Sequence, residues 1–240
     1  MSTSTPTPVP IITAVENGIV ARLKQGLGKM VREVATYGGE FDDDGLAEVV
    51  RRFPAAWVTF GGVKKTVPVG TSRDKWKAES VFVVMVGARS VRNEVSSRQG
   101  GALPTEIGTN LLIYGVRRLL TQQDLGLPIR EFMPGAVKTL FNTRLQREAF
   151  SVFGCEFHTA WVETALDLGT FPQPVDPTSV VAGDPTSGLD SIFATYGGQV
   201  DPTTPDLLSV RMNLHLDPTV TSGTPDEQAI ANLQSSNQEP

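Results

Sequence analysis

Residues 75–94 read Lys75-Trp-Lys-Ala-Glu-Ser-Val-Phe-Val-Val-Met-Val-Gly-Ala-Arg-Ser-Val-Arg-Asn-Glu94. From Val81 to Ala88 no residue is polar, as expected of a strand covered on both faces. Ahead of it, Trp76, Ala78 and Ser80 alternate with Lys75, Lys77 and Glu79, so one face alone is dry there. The reading is one long strand. It runs from a half-exposed rim into the core and exits into charge.

Upstream, Ile12, Val15, Ile19, Leu23 and Leu27 recur at helical spacing after Pro10, with a close near Gly26 or Gly28. Met30 to Tyr37 reads as a strand stopped by Gly38-Gly39. Asp42-Asp-Asp44 opens a short helix bearing Leu46, Val49, Val50 and Phe53, ended by Pro54. Ala56 to Phe60 is a second strand, Gly61-Gly62 a turn, and Val63 to Val69 an edge strand, where Pro68 is tolerated.

Downstream, Arg89 to Thr105 reads as a polar loop. Thr105 to Gln122 is the best helical pattern, with Thr105 as its cap and Ile107, Leu111, Leu112, Tyr114, Val116, Leu119 and Leu120 on its face. Leu125 to Phe132 is a short connector. Ala136 to Arg144 and Gln146 to Val162 are two extended, aromatic-rich runs. The fold class is therefore α/β in the α+β sense: a compact mixed or antiparallel sheet packed by two main helices.

After Leu168 the composition changes. Nine of the 17 prolines fall in 172–240, and Asp-Pro recurs at 176, 184, 201 and 217. This reads as an extended, proline-rich C-terminal arm with short strands, 169–240, following a body at 1–168 whose first ten residues form a disordered lead-in. Within the arm, Leu208, Val210, Met212, Leu214 and Leu216 alternate with polar residues, a half-buried strand within 206–217. A lone strand is unstable, so it must join its own sheet or a neighbour's. The last twenty residues read as disordered. Ala-Thr-Tyr-Gly-Gly occurs at 35–39 and again at 194–198, but the flanks do not match, so no duplication is read.

The net charge of −5 conceals a split. Residues 1–150 carry 20 Lys and Arg against 14 acids, and 151–240 carry Arg211 alone against 12. A basic body and an acidic arm suit contact with each other, within one subunit or between neighbours. Cys155 is the single cysteine, so no internal disulfide forms and a reducing compartment is expected. No apolar run approaches the roughly 18–20 residues of a membrane span, and the N-terminus lacks a signal-peptide pattern.

Catalytic patterns fail on spacing. Cys155 and His158, three apart on a strand, point to opposite faces. Glu40-Phe-Asp-Asp-Asp-Gly45 imitates a calcium loop, but the twelfth position is Arg51 where a bidentate Glu belongs. Gly61-Gly-Val-Lys-Lys-Thr66 lacks the first glycine of a phosphate loop. No enzyme, cofactor or metal site is expected. Lys64, Lys65, Arg73, Lys75, Lys77, Arg89, Arg92 and Arg98 cluster along the chain beside Trp76. They suit a protein–protein surface better than nucleic acid, because aromatic interleaving is limited to that Trp.

The order of pieces resembles a Mu-like phage protein family encoded in the tail-gene region near the sheath gene. The pieces are Val15-Glu-Asn-Gly-Ile-Val-Ala-Arg-Leu-Lys24, Val34-Ala-Thr-Tyr-Gly-Gly-Glu40 and Arg52-Phe-Pro-Ala-Ala-Trp-Val-Thr-Phe-Gly61. Phe82 to Asn93 and Leu111 to Leu127, ending Gln122-Gln-Asp-Leu-Gly-Leu127, complete them. They span about residues 12–162; the arm is longer than the family pattern, and its role is not carried over.

The resemblance implies a virion structural protein of a contractile-tailed phage neck, assembled in the host cytoplasm. The implied role is a tail terminator: a homo-oligomeric ring, typically six subunits, that caps tail tube and sheath, stops their growth and docks to the head connector, with no membrane partner. Genomic DNA would pass without sequence-specific contact. A head–tail adaptor or tail-completion protein is the alternative; a DNA-binding protein or a hydrolase ranks below both. The expected interface comprises Lys64, Lys65, Lys75, Trp76, Lys77, Arg89, Arg92 and Arg98, facing axial neighbours or the bore. Leu208, Val210, Met212 and Leu214 would be added to a neighbour's sheet.

Overall fold

The computed structural model describes residues 8–39, 46–90, 94–101, 106–145, 148–175, 180–202, 209–214 and 227–232. In chain order the elements are α1 (Ile11–Leu27), β1 (Glu33–Thr36), α2 (Leu46–Arg52), β2 (Ala55–Pro68), β3 (Lys75–Ser90), α3 (Glu94–Gln99) and α4 (Thr109–Leu120). They continue with β4 (Met133–Leu145), β5 (Glu148–Thr164), α5 (Ser191–Thr195), β6 (Ser209–Leu214) and β7 (Glu227–Asn232). The first five strands form one mixed sheet in the order β1-β2-β3-β5-β4. All of its pairings are antiparallel except β1 with β2.

β3 is the central strand, and its burial explains the sheet. Ala78, Ser80, Phe82, Val84, Val86 and Ala88 are buried on one face, and Val81, Met85 and Gly87 on the other, where Val83 is half-buried. β5 pairs with β3 along its whole length, from Lys75 opposite Thr164 to Ser90 opposite Ala149.

The first face carries α1 and α4, which supply Val15, Ile19, Leu23, Leu112, Val116 and Leu120 to the main core. Glycine lets these helices approach. A Cβ on Gly115 would lie 2.9 Å from Leu27, and one on Gly26 would lie 2.5 Å from Leu119. Arg22 Nε donates to Leu119 O at 2.6 Å across the same contact. Phe82, Phe132 and Phe157 stack edge to face beneath, with centroids 6.1–6.2 Å apart. The opposite face carries a smaller core, in which Val49, Val50 and Phe53 cover Trp57, Met85, Phe150 and Val152.

Several boundaries differ from the sequence reading. Gly61-Gly62 is not a turn between two strands. β2 continues through it, with register shifts between Phe60 and Val63 and again between Val63 and Lys65. Two glycines and a bulge bend a strand as readily as they end it. Residues 89–104 are not simply a loop: β3 runs to Ser90 and α3 follows. α4 starts at Thr109 after Gly108; Thr105 lies outside the described residues. Thr109 is buried instead, its Oγ1 3.1 Å from Ser151 Oγ. The first strand is shortened to Glu33–Thr36, because Gly28–Met30 forms a 3₁₀ turn.

The arm is more structured than expected. Val9 N donates to Pro185 O, and Phe171 N to Asp201 Oδ2, so the segment at Phe171 meets the one at Asp201, and Pro185 meets the N-terminal segment. The repeated pentapeptide shows how context rules here: Ala35 and Thr36 end a strand, whereas Ala194 and Thr195 end a helix. The expected arm strand exists as β6, and it pairs with β7, which lies inside the stretch read as disordered. Leu208 and Leu216 fall outside the described residues.

The two faces of β3 make separate demands. On Gly87, a Cβ would sit 2.3 Å from the buried Phe53 ring, so Gly87→Ala should cost about 1–3 kcal/mol by overpacking. Phe82→Ala should cost about 3–5 kcal/mol, whereas Tyr114→Ala, at a residue 66% exposed, should stay within about 0.5 kcal/mol. Urea unfolding of the three variants checks this ranking.

Candidate assembly surface

The residues expected at an interface fall into two groups at opposite ends of β3. Lys75, Trp76 and Lys77 begin the strand and Arg89 lies near its end, about 45 Å away at the rise of an extended chain. The basic cluster along the sequence is therefore not one patch in space.

At the first end, β2 and β3 project as a hairpin. Pro68 pairs with Trp76 and Val67 with Lys77. The turn is built by Gly70 and Arg73, both at positive φ, and by the hydroxyl of Ser72 donating to Asp74. Trp76 Nε1 donates to Arg73 O at 3.0 Å, which fastens the indole to the turn. Lys77 Nζ lies 2.8 Å from Glu79 Oε1. Lys64, Lys65 and Lys75 are exposed. The glycines beside Lys64 belong to a continuous strand, so they cradle no phosphate.

The other end is built differently. Arg98 is on α3, half-buried, with Nε out of solvent and without a hydrogen bond. α3 packs on β3, β5 and α4, and Ser151 Oγ donates to Ser97 O. This segment seals the end of the core instead of presenting a charged loop. Arg89 is half-buried opposite Phe150, and Arg92 lies outside the described residues. Val210, Met212 and Leu214 are on β6. Glu40 to Gly45, the calcium-loop mimic, also lies outside the described residues.

The extended run read at Ala136 to Arg144 is the outer strand β4, which flanks the sheet opposite β1; what the sequence reading did not single out is its exposed apolar residues. Val137, Leu140 and Phe141 on it are exposed. Alternation within β4 is broken by register shifts between Pro134 and Val137 and between Thr139 and Phe141, which hides the pattern in sequence. Lys138 Nζ donates to Glu156 Oε1 at 2.7 Å, and this bond holds the Glu156 carboxyl below its ordinary value of 4.5. A cleft of about 620 Å³ lies between Ile11, Ile129, Trp161 and Leu189, with Lys77 and Arg130 also on its walls. Its arm-side wall is formed by the segment that returns near Pro185.

Cys155 and His158 do not form a pair. Cys155 is buried in the main core and His158 is half-exposed, as their odd spacing on β5 requires. Burial pushes the thiol up to about 11.

Comparison with protein families decides the relationship. The family model described as bacteriophage Mu, Gp37 matches residues 11–162. The chain belongs to the Mu Gp37 family. The match runs from the start of α1 almost to the end of β5, so it contains the whole five-stranded sheet and leaves out the arm. Membership makes this a Mu-like bacteriophage protein and supports a structural role in the virion. Curated proteins give no match. Among the described residues no helix is long and apolar enough to cross a membrane.

Two measurements check the local chemistry. Cys155 should resist thiol reagents at pH 8 in the folded protein and react fully in denaturant, because the thiolate needed for attack is suppressed. For Glu156, a depressed folded-state pKa means its stabilising contribution is present above pH 4.5 and is lost as pH falls through the folded value. Lys138→Met should raise the Glu156 midpoint towards 4.5, read by NMR titration, and should cost no more than about 1 kcal/mol since the pair is solvent-exposed.

Proposed function

We propose that this protein is a tail terminator of a contractile-tailed phage neck: a ring, typically of six subunits, that caps the tail tube and sheath, stops their growth and docks to the head connector. The observation that carries this reading is the family match across the entire α+β body. The architecture supports a binding role of this kind. β4 is an outer strand of the sheet with Val137 and Leu140 exposed, and the β2–β3 hairpin presents Lys64, Lys65 and Lys75 to solvent.

A terminator acts by surface, not by reaction. Its contact with the last tube ring is heterologous, so the face it turns away must differ from the face it binds with. Two dissimilar ends of one sheet suit that requirement: an exposed basic hairpin at one end of β3, and a helix-sealed core at the other. The one Cys-His pair that the sequence offered to a catalytic reading is not formed, since Cys155 is buried and His158 is half-exposed. The neck adaptor remains the second reading, and it differs in ring size.

Negative-stain electron microscopy and native mass spectrometry of the full chain test the assignment. A closed six-membered ring that caps purified tail tubes at one end is the expected result. A twelve-membered ring would favour the adaptor, and a monomer at all concentrations would exclude both.

A further inference from the structure

We infer that the basic end of the body, where α1, β1 and α2 meet, receives the acidic segment 165–202 of a second copy of this chain. The inference uses the ring reading only in requiring that copies meet.

The first observation is a convergence of charge that the sequence disperses. Lys24 on α1, Lys29 in the 3₁₀ turn after it, Arg32 ahead of β1, and Arg51 and Arg52 at the end of α2 are all exposed. Arg32 Nη1 donates to Arg51 O at 3.3 Å, and Arg52 lies 3.7 Å from Glu33, so the two stretches share one surface. Lys24, Arg32 and Glu33 line a groove of about 510 Å³ beside the end of α1. Residues 22–33 and 46–52 carry six bases against Glu33 and Glu48. Lys24, Arg51 and Arg52 also complement the carbonyl ends of α1 and α2, but Lys29 and Arg32 lie beyond either helix.

The second observation is the acidic segment. Residues 165–202 carry Asp167, Asp176, Asp184, Asp190 and Asp201 and no base. Asp167 and Asp190 are exposed. Carboxylates take charge-assisted hydrogen bonds from ammonium and guanidinium groups, two at once from Arg. The groove has no aromatic lining on which bases could stack, so a chain bearing carboxylates suits it better than nucleic acid.

Position makes the contact one between copies. The acidic segment leaves the body at the start of β3, where Ala165 N donates to Asp74 O, and it returns to the start of α1, where Val9 N donates to Pro185 O. The basic groove is at the far end of both elements. α1 carries 17 residues, about 25 Å along its axis. Ala55, which pairs with Glu33, stands opposite Gly87, and from Gly87 back to Lys75 the strand runs about 40 Å. The anchor points of the acidic segment and the groove thus lie at opposite ends of one body. That is the arrangement of a heterologous, head-to-tail contact.

Charge exchange in the full-length chain tests this by sedimentation equilibrium. One variant carries Lys24→Glu, Lys29→Glu and Arg51→Glu, and the other carries Asp167→Lys and Asp190→Lys; all five residues are exposed. Each variant alone should self-associate about tenfold or more weakly than the native chain. An equimolar mixture should regain native affinity, because opposite charges again face each other at every contact. Should the triple variant melt early by circular dichroism, Lys29→Glu/Arg51→Glu gives the same comparison. Native association of either variant alone overturns the docking, as does failure of two variants with native melts to recover on mixing. So does the same recovery when Lys64→Glu/Lys65→Glu replaces the groove variant, or a groove variant that loses only its binding to a fluorescent DNA duplex. Closed rings formed by the groove variant alone would remove the docking and leave the ring assignment standing; recovered pairing in open chains without rings would do the opposite.

Discussion

The structure depends on one constraint: β3 is apolar on both faces, so each face must be covered by something. Burial of aliphatic side chains is worth roughly 25 cal/mol per Å² of apolar area, so a strand bare on one side at Phe82 and Val84 or at Val81 and Met85 would be strongly unfavourable. The chain meets this asymmetrically. α1 and α4 cover one face broadly, while α2 covers the other only near Trp57 and Phe150. β2 and β5 then complete the backbone hydrogen bonding of β3 on both sides. The two longest helices, the parallel entry of β1 and the placement of Cys155 all follow from serving that strand.

This asymmetry separates stability from surface chemistry. The helical face is closed by close glycine contacts and stacked rings. The other face turns polar beyond α2, where Glu156 and His158 are half-exposed and Lys138 reaches across from β4. The hairpin that carries Lys64 and Lys65 extends from this thinner part of the sheet. Charged residues there are held by short, solvent-exposed bonds, so their removal alters what the surface can bind more than whether it folds.

Much of the fold was legible because its signals are local. The run Val81–Ala88, the spacing of Val15, Ile19 and Leu23, and the apolar stripe of the helix ending at Leu120 each identify their element without reference to the others. The misreadings share a cause: they turn on long-range context. Gly61-Gly62 bends β2 instead of ending it, because β3 stays paired beside it on both sides of the bulge. Arg98 looked like a surface cation, but α3 folds it against the core. Ala-Thr-Tyr-Gly-Gly takes two conformations because its first copy has β2 to pair with and its second has not. Of the candidate surface features, the exposed lysines at the hairpin were legible by charge, while the exposed apolar residues of β4 were hidden by register shifts that break alternation.

The guarded outer stretch of β2 has a further meaning in terms of valence. A sheet with two open edges can add strands indefinitely, which is the geometry of fibrils. Here the outer part of β2, beyond the four residues of β1, carries Lys64, Lys65, Pro68 and two register shifts, so that stretch is a poor template for a further strand. The strand-pairing valence on that side of the sheet is therefore close to zero, and copies of this chain held at high concentration do not stack through it.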